Sequence, residues 1–261
     1  MGQYTHLQLR EVFHLEFLRW FGRKVKAGDY AVKGGVNLRF FFKSFRYSED
    51  MDLDARGIKV ITLREIVMKI LSAATFQDNL KPFGIMSVVP PDVSKAKQTE
   101  TTQRFKIHLI ASSGEDLFTK VEFSRRGFAG KILIGAPDDT ILRSYKLAPF
   151  PVPHYDAHSA IAQKMNALAN RSAVQARDIF DIYLLSSQYT TGAKVQIDNI
   201  KADLFSKAYE RVFEVEFEQF RDTVVSYLSV EDQSVYDNPK IWEEIRLKTA
   251  QFIEEARKDY A

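Results

Sequence analysis

Three aspartates stand two residues apart in the segment RYSEDMDLD, at Asp50, Asp52 and Asp54. Alternate residues of a β-strand point to the same face, so this spacing would place neighbouring carboxylates side by side. Neighbouring carboxylates repel each other, and a divalent cation removes that conflict. Magnesium prefers oxygen ligands and often binds one or two carboxylates together with substrate phosphates. The segment therefore predicts a magnesium site for a phosphorylated substrate; a solvated acidic strand edge is the alternative interpretation.

A pair of glycines, Gly34 and Gly35, lies upstream, between a brief extended segment at 30–33 and a short predicted helix at 36–43. Glycines at such a junction let backbone amides approach a phosphate group, and the helix N-terminus adds partial positive charge. The segment is not a P-loop, whose glycine-rich run ends in Gly-Lys-Ser or Gly-Lys-Thr. Further along, Glu122 is central in KVEFS, a predicted strand. A third carboxylate on an adjacent strand would allow two metal ions, which stabilise the attacking and leaving oxygens of phosphoryl transfer.

Hydrophobic spacing predicts the elements that must position these residues. The predicted helices are 5–26, 36–43, 62–80, 156–169, 174–188, 198–209, 213–228 and 239–258, and the predicted strands are 30–33, 50–55, 84–89, 101–111, 117–124 and 131–134. A capping box is expected at Thr62 and Glu65, a hairpin turn at 114–116, and a proline-rich linker at 149–153. This layout predicts an α/β domain at 1–150 and an α-helical domain at 151–261.

Composition narrows the function classes. The chain has 261 residues, 45% of them hydrophobic, which is enough for a sizeable core. It has no cysteine, so disulfides, thiolate catalysis and cysteine-ligated zinc are excluded. The net charge of +3 permits a polyanionic partner without requiring one. We find no secretory signal and no apolar stretch long enough to span a bilayer, so we expect a cytoplasmic protein without membrane association.

The order of these features resembles the DNA polymerase β-like nucleotidyltransferase superfamily: a double glycine, a helix, Asp-x-Asp, and later an acidic residue on a strand. Within it, KGG-x-x-L-R followed by R-x-S-x-D-x-D is similar to the AbiEii/AbiGii toxin family of type IV toxin–antitoxin and abortive-infection systems. The matching residues are Lys33, Gly34, Gly35, Leu38, Arg46, Ser48, Asp50 and Asp52. A second matching region at 160–185 contributes Lys164, Ala167, Leu168, Arg171, Arg177, Asp178 and Asp181.

The resemblance covers about residues 30–185 and implies both a fold and an activity. The implied fold is an α+β or α/β architecture, with a polymerase-β-like mixed sheet flanked by helices and a C-terminal helical domain that completes the cleft. The implied activity is metal-dependent transfer of a nucleoside monophosphate from a nucleoside triphosphate to an acceptor hydroxyl. RNA is the implied acceptor, with tRNA 3′ ends the first to test. An antitoxin is a further implied partner, without implied direct contact.

The resemblance also implies residue roles. Asp50, Asp52 and Glu122 would be metal ligands for magnesium, or manganese in its place, and Glu122 would help activate the acceptor hydroxyl. Lys164 would be a fourth catalytic residue, directed at the triphosphate. Nucleotide binding would use the remaining matched polar positions: Lys33, Gly34, Gly35, Arg46, Ser48, Arg177 and Asp178. An Arg-Asp pair on a helix also often braces a domain interface, and that interpretation is favoured for Asp181.

Several alternatives stay open at this level. Asp52 and Asp54 could form the metal pair, although the spacing from Ser48 favours Asp50 and Asp52. Val36 and Asn37 stand where the family usually has Thr or Ser, which leaves a binding protein without turnover as one alternative. A nucleotidyltransferase for a small molecule or a protein side chain is another. Basic and aromatic residues mix at 104–106 and 124–131, which suits either RNA contact or an exposed hairpin edge.

Overall fold

A computed structural model describes residues 4–188 and 202–260. The chain divides into two compact units. Unit 1 comprises Met1–Phe41, Tyr47–Phe128 and Ile132–Tyr155, and unit 2 comprises Phe42–Arg46, Ala129–Lys131 and Asp156–Ala261. Unit 1 contains a seven-stranded sheet with its helices, whereas the elements of unit 2 are helices.

Unit 1 is built on one mixed sheet. Its strands are β1 (Tyr30–Lys33), β2 (Met51–Ala55), β3 (Ile85–Val89), β4 (Thr102–Ala111), β5 (Asp116–Ser124), β6 (Ile132–Gly135) and β7 (Val152–Tyr155). They lie side by side in the order β3-β4-β5-β2-β1-β7-β6. The β2–β5 and β1–β7 pairs are parallel, and the other neighbours are antiparallel. The helices of this unit are α1 (His6–Phe21), α2 (Gly34–Phe41), α3 (Val60–Leu71), α4 (Ala74–Leu80) and α5 (Asp139–Ser144).

The central strands have one apolar face and one charged face. Met51 and Leu53 of β2 and Val121 and Phe123 of β5 are fully buried, and the residues that alternate with them are polar. On the buried face Phe21 of α1 packs against Phe123, with ring centroids 5.3 Å apart. Burying large aromatic side chains contributes strongly to core stability. The alternation therefore fixes which face of the sheet meets the helices and leaves the charged residues together on the opposite face.

Helix α1 forms where hydrophobic spacing predicts it, but it ends at Phe21 and not at residue 26. Its N-cap is Thr5, whose side chain accepts a hydrogen bond from the backbone amide of Gln8, while the Gln8 side chain binds the Thr5 amide in return. Phe13, Phe17 and Phe21 follow at four-residue steps, and the rings of Phe17 and Phe21 stack 5.6 Å apart. This amphipathic pattern is the most direct link in the chain between sequence and local structure.

Three expectations for unit 1 are wrong. The predicted helix at 62–80 is two helices, because the chain turns at Ser72 and Ala73. Helix α3 begins after Lys59, so the capping box expected at Thr62 does not form. The predicted linker at 149–153 instead leads into β7, which lies inside the sheet between β1 and β6. Prolines discourage helix, but their backbone angle is compatible with an extended strand.

Unit 2 is helical. Its helices are α6 (Ala157–Asn170), α7 (Ala176–Ser186), α8 (Ala202–Arg211), α9 (Phe217–Thr223), α10 (Val230–Tyr236) and α11 (Pro239–Tyr260). Trp242 of α11 stacks on Phe220 of α9 at 4.3 Å and donates a hydrogen bond from its indole nitrogen to the Val215 carbonyl oxygen. A buried tryptophan thus has both its ring packed and its donor satisfied.

The helices after 186 differ in part from the sequence expectation. The helix predicted at 213–228 is broken into α9 and short 3₁₀ turns on either side of it. Helix α10 was not predicted; Ser229 caps it by accepting a hydrogen bond from the Asp232 amide. The start of the helix predicted at 198–209 lies outside the described residues. No helix in the described ranges has the length and apolar character needed to cross a membrane.

Candidate active site

A row of four charged residues crosses the middle of the unit 1 sheet. Parallel pairing of β2 and β5 sets Asp52 beside Glu122, and antiparallel pairing sets Arg104 of β4 beside Glu122 and Lys33 of β1 beside Asp52. Residues in register on adjacent strands point to the same face, and adjacent strands are about 4.8 Å apart. The structure therefore brings the two acidic segments together, with two neighbouring carboxylates in the middle of the row and one cation at each end.

Asp50 joins this group from the loop that leads into β2. The Ser48 hydroxyl donates a hydrogen bond to the Asp50 carbonyl oxygen at 2.8 Å, which fixes the turn before the strand. The Asp50 side chain is 38% exposed and that of Glu122 is 24% exposed, so both can be reached by a ligand from solvent. Ser48 thus has a clear positioning contact, and its predicted contact with nucleotide stays a prediction.

Basic side chains partly neutralise these carboxylates. Lys120, two residues before Glu122 on β5, places its ammonium 3.0 Å from Asp50 Oδ2 and 4.0 Å from Glu122 Oε2. Arg104 donates from Nε to Glu122 Oε2 at 2.6 Å. The motif comparison did not single out Lys120 or Arg104. The signal for Lys120 was present, because residues two apart on a strand share a face.

Asp52 differs from its neighbours, because it forms no ion pair with any side chain in the described part of the chain. Burial raises the pKa of Asp52 above its ordinary value, and the nearby carboxylates of Glu122 and Asp50 raise it further. Lys120 and Lys33 act in the opposite direction without cancelling the increase in pKa. An acid whose charged form is disfavoured in the folded protein is typical of a ligand-binding position.

Asp54 is held by other residues. Its carboxylate is nearly buried, with Lys33 Nζ 2.6 Å from Oδ1 and the Tyr155 hydroxyl donating to Oδ2 at 2.6 Å. Both oxygens are therefore already engaged with donors on β1 and β7. This arrangement favours Asp50 over Asp54 as the partner of Asp52. It also shows that Lys33, predicted to bind phosphate, has a carboxylate partner within its own unit.

The double glycine lies directly against Asp52. Gly34 has φ +66°, in the left-handed region, and a Cβ built on it would stand 3.2 Å from Asp52 Oδ2. A larger residue would be strained there and would crowd the carboxylate. Helix α2 begins at Gly34, so its first amides lie next to the acidic group. Val36 is buried in the core and Asn37 donates to the Tyr155 carbonyl oxygen, so neither supplies the hydroxyl usual in the family.

The three predicted metal ligands fit a divalent cation in chemical type and in position on the sheet. Asp50, Asp52 and Glu122 offer only carboxylate oxygens, the donors that magnesium and manganese prefer. In the observed side-chain arrangement, however, no three acidic or histidine side chains of the described residues form a metal-binding group. In that arrangement Asp50 is held by an ion pair with Lys120 and Glu122 by one with Arg104. A cation bound by all three carboxylates would compete with Lys120.

Unit 2 contains a second, buried charge cluster. Arg46 donates from Nε and Nη2 to the carboxylate of Asp181 at 3.1–3.2 Å, and Lys164 Nζ is 2.6 Å from Asp181 Oδ2. Lys164 also lies 3.0 Å from Asp178 Oδ1, and Arg171 Nε lies 2.8 Å from Asp178 Oδ2. Both aspartates are fully buried.

These ion pairs balance the cluster. Burial alone would raise the pKa of Asp181, but Arg46 and Lys164 lower it below its ordinary value. The contacts join segment 42–46, α6 and α7 within unit 2. The triphosphate contact predicted for Lys164 and the nucleotide contacts predicted for Arg46 and Asp178 stay predictions, since all three side chains are buried in ion pairs. Arg177, by contrast, is exposed on α7.

Comparisons with solved structures show a shared fold. The chain is similar to the nucleotidyltransferase toxin MenT4 from Mycobacterium tuberculosis H37Rv, with TM-score 0.59 and 19% identity over 95% of this chain and 84% of that one. JHP933 from Helicobacter pylori matches with TM-score 0.57 and 17% identity over 98% and 94% of the two chains. A putative nucleotidyltransferase from H. pylori matches with TM-score 0.53 and 16% identity over 95% and 93%. No curated protein matches the chain significantly.

The family comparison covers nearly the whole chain. The model described as "Nucleotidyl transferase AbiEii toxin, Type IV TA system" matches residues 17–261. That range includes the double glycine, the charge cluster of unit 2, and the acidic residues Asp50, Asp52 and Glu122 with their flanking cations, here called the carboxylate row. The resemblance inferred from short motifs in the sequence is thereby confirmed, and so is the predicted fold class of a mixed sheet with flanking helices and a helical C-terminal region. This chain belongs to the AbiEii nucleotidyltransferase toxin family of type IV toxin–antitoxin systems.

Proposed function

We propose that this toxin-family nucleotidyltransferase transfers a nucleoside monophosphate from a nucleoside triphosphate to a hydroxyl of RNA, with a tRNA 3′ end as the first acceptor to test. The observation that carries the proposal is the register of β2 and β5, which sets Asp52 beside Glu122, with Asp50 two residues away and Gly34 in contact with Asp52. Phosphoryl transfer needs positioning and charge stabilisation more than covalent chemistry, and this arrangement offers both. Nucleoside triphosphates and tRNA are both present in the cytoplasm, so we propose that the protein acts in the cytoplasm.

Each residue of the row has a part in the proposed reaction. Asp50, Asp52 and Glu122 would hold magnesium or manganese, which when bound supplies positive charge against the phosphate oxygens. Glu122 accepts the proton of the acceptor hydroxyl, and Arg104 keeps its carboxylate in place. The acceptor oxygen then forms a bond to the α-phosphorus as the bond to the β-phosphate oxygen breaks, and pyrophosphate leaves. The amides at Gly34 and Gly35 bind phosphate oxygens at the start of α2.

The other residues predicted to contact the nucleotide differ in how much rearrangement they need to reach it. Lys33 can approach a phosphate only by loosening its ion pair with Asp54. Arg177 is exposed and is the candidate of unit 2 that needs no rearrangement. Lys164, Arg46 and Asp178 would first have to leave their buried ion pairs, at a cost of several kcal/mol by the usual magnitude for such pairs. The division of the chain into a catalytic and a helical domain is retained as part of the proposal.

The charged face of unit 1 also supports an RNA acceptor. Beyond the carboxylate row, β4 and β5 present Lys106 opposite Lys120, and then His108 opposite Phe118. The Phe118 side chain is 60% exposed, and its ring stacks on His108 with centroids 4.8 Å apart. Exposed aromatic rings flanked by cations suit the stacking of RNA bases beside a charged backbone. Phe118 is four residues from Glu122, or about 13 Å along a strand.

The direct test uses purified protein, each labelled nucleoside triphosphate in turn, magnesium and total RNA. We expect label in RNA with the wild-type protein and none with Asp52→Ala. A small-molecule or protein acceptor would leave RNA unlabelled while pyrophosphate is still released on addition of the correct acceptor. A binding protein without turnover would show nucleotide-dependent thermal stabilisation but no pyrophosphate release with any acceptor. Equal labelling by Asp52→Ala would overturn the proposed role of Asp52.

A further inference from the structure

Lys120 is the one basic side chain of the described residues that forms ion pairs with two of the proposed metal ligands. Its ammonium lies 3.0 Å from Asp50 Oδ2 and 4.0 Å from Glu122 Oε2. A single cation therefore binds two of the three carboxylates, on the charged face of the sheet.

The other cations of this face have different partners. Arg104 binds Glu122 from the next strand, and Lys33 binds Asp54. Lys106 is in register with Lys120 on β4 and points to the same face, but it is exposed and makes no ion pair with any described residue. The interaction with the acidic group is therefore specific to Lys120, and Lys106 offers a matched lysine without it.

We infer that Lys120 is a built-in counter-cation that occupies the position of the divalent metal and must be displaced when the metal binds. The inference rests on the proposed function, because it takes Asp50, Asp52 and Glu122 as the metal ligands. Two cations within a few ångströms repel each other strongly in a partly buried site. The lysine side chain is 28% exposed and has a flexible four-carbon stem, so its ammonium can swing out towards solvent.

The counter-cation has two opposite consequences. Without metal it keeps three crowded carboxylates from repelling each other, so it stabilises the fold. With metal it competes for the same oxygens, so it weakens metal binding. Removing the positive charge should therefore destabilise the protein in the absence of metal and tighten the binding of metal. A lysine with only a surface role would do neither.

The test measures Mn²⁺ binding to the full chain by the electron paramagnetic resonance signal of free Mn²⁺, without nucleotide. For Lys120→Met we expect at least about tenfold tighter binding, which corresponds to about 1.4 kcal/mol. We expect Lys106→Met to change affinity by less than about twofold, since it removes the same charge from an exposed position without an ion pair. Lys120→Arg should bind Mn²⁺ more weakly than wild type, because a guanidinium holds carboxylates with a more rigid geometry.

Thermal unfolding gives a second readout. The melting temperature of Lys120→Met should be lower than that of wild type in chelator and should approach it as Mn²⁺ is added. If Lys120→Met does not fold in chelator, Lys120→Gln, which keeps a polar side chain at this position, is used in its place for both Mn²⁺ binding and thermal unfolding. Equal or weaker Mn²⁺ binding by the neutral variants would overturn the inference.

The outcomes also separate this inference from the proposed function. Mn²⁺ binding by wild type that is lost in Asp52→Asn, together with unchanged affinity in Lys120→Met, would leave the metal site standing and remove the counter-cation role. Absence of Mn²⁺ binding in wild type and in Lys120→Met would overturn both. Tighter binding in Lys120→Met without any nucleotidyl transfer to RNA would support the counter-cation and contradict the proposed acceptor.

Discussion

The carboxylate row of unit 1 and the buried charge cluster of unit 2 use the same residue types in opposite ways. Asp178 and Asp181 are fully buried, and lysine or arginine binds each of them, so the pKa of Asp181 is lowered. Asp52 forms no ion pair with a described residue, and burial, together with the neighbouring carboxylates of Glu122 and Asp50, raises its pKa. The first pattern stabilises a fold. The second leaves negative charge only partly compensated, which is typical of a site that binds a cation or a substrate.

Motif matching alone does not separate these two clusters. Both contain residues shared with the AbiEii family, and the sequence interpretation gave catalytic or nucleotide-binding roles to members of each. The contacts divide them: Arg46, Lys164 and Asp178 have partners inside unit 2, whereas Asp50 and Glu122 are partly exposed. We therefore expect substitutions in unit 2 to affect mainly stability, and substitutions in the row to affect mainly transfer.

The largest expected effect on stability is at Asp181. Asp181→Asn removes the buried negative charge that Arg46 and Lys164 share, and breaking a buried ion pair in this way typically costs about 3–5 kcal/mol. Urea unfolding should show this loss in free energy. The matched control is Asp203→Asn on α8, where the carboxylate is 66% exposed and the change should stay within about 0.5 kcal/mol. Equal effects of the two substitutions would remove the structural role assigned to the buried cluster.

Glu122→Gln should lower the rate of nucleotidyl transfer with little effect on stability. The amide can still accept the hydrogen bond from Arg104, but it cannot take a proton from the acceptor, so transfer should fall by about 10²–10⁴-fold. The transfer rate with labelled nucleotide and RNA measures the effect on activity, and the melting temperature measures the effect on stability. Asp78→Asn on α4 is the control, since that exposed carboxylate pairs with Lys81 and should leave the rate unchanged.

Phe118→Ala tests the acceptor surface. If an RNA base stacks on this exposed ring, its removal should weaken RNA binding by about 1–3 kcal/mol, with the KM for nucleotide unchanged. Phe118→Tyr keeps an aromatic ring and should bind RNA as wild type does. Fluorescence anisotropy with labelled RNA measures both variants. Identical affinities for the alanine and tyrosine variants would mean that the acceptor does not use this surface.

The smallest expected effect is on pH dependence. Because the pKa of Asp181 is lowered on folding, its contribution to stability is present above the ordinary value of about 3.9 and is lost as pH falls through the lowered value. The difference in unfolding free energy between wild type and Asp181→Asn should therefore narrow below about pH 4. Urea unfolding at neutral and acidic pH gives that difference. A constant difference across this range would contradict the assigned ion pairs.

Much of the site could be predicted from the sequence because it depends on local alternation. Met51, Leu53, Val121 and Phe123 had to face the core, which placed Asp52 and Glu122 on the opposite face of their strands. The adjacency of β2 and β5 came from the family resemblance and not from the spacing, since pairing of distant strands leaves no local pattern. Residues of α1 were equally predictable from their helical period.

The cations of the site were harder to predict, because strand register depends on the turn. A turn centred on Glu115 would set His108 beside Glu122, whereas the observed turn lies about two residues earlier and sets Arg104 there. The strand β7 was missed for a related reason. Its prolines lie where they disrupt helices, but Val152 and Tyr155 are fully buried and tertiary packing outweighs the local preference.

The most direct test of the account is the rate of label transfer to RNA by Asp52→Asn, measured beside wild type at equal folded fraction. Burial and the neighbouring carboxylates disfavour the ionised form of Asp52, and the substitution removes that negative charge. We therefore predict a melting temperature equal to or above that of wild type. We predict transfer reduced by about 10³-fold or more, a size typical of losing a group that acts in the transition state. A variant that transfers label at the wild-type rate would show that the carboxylate row is not the active site.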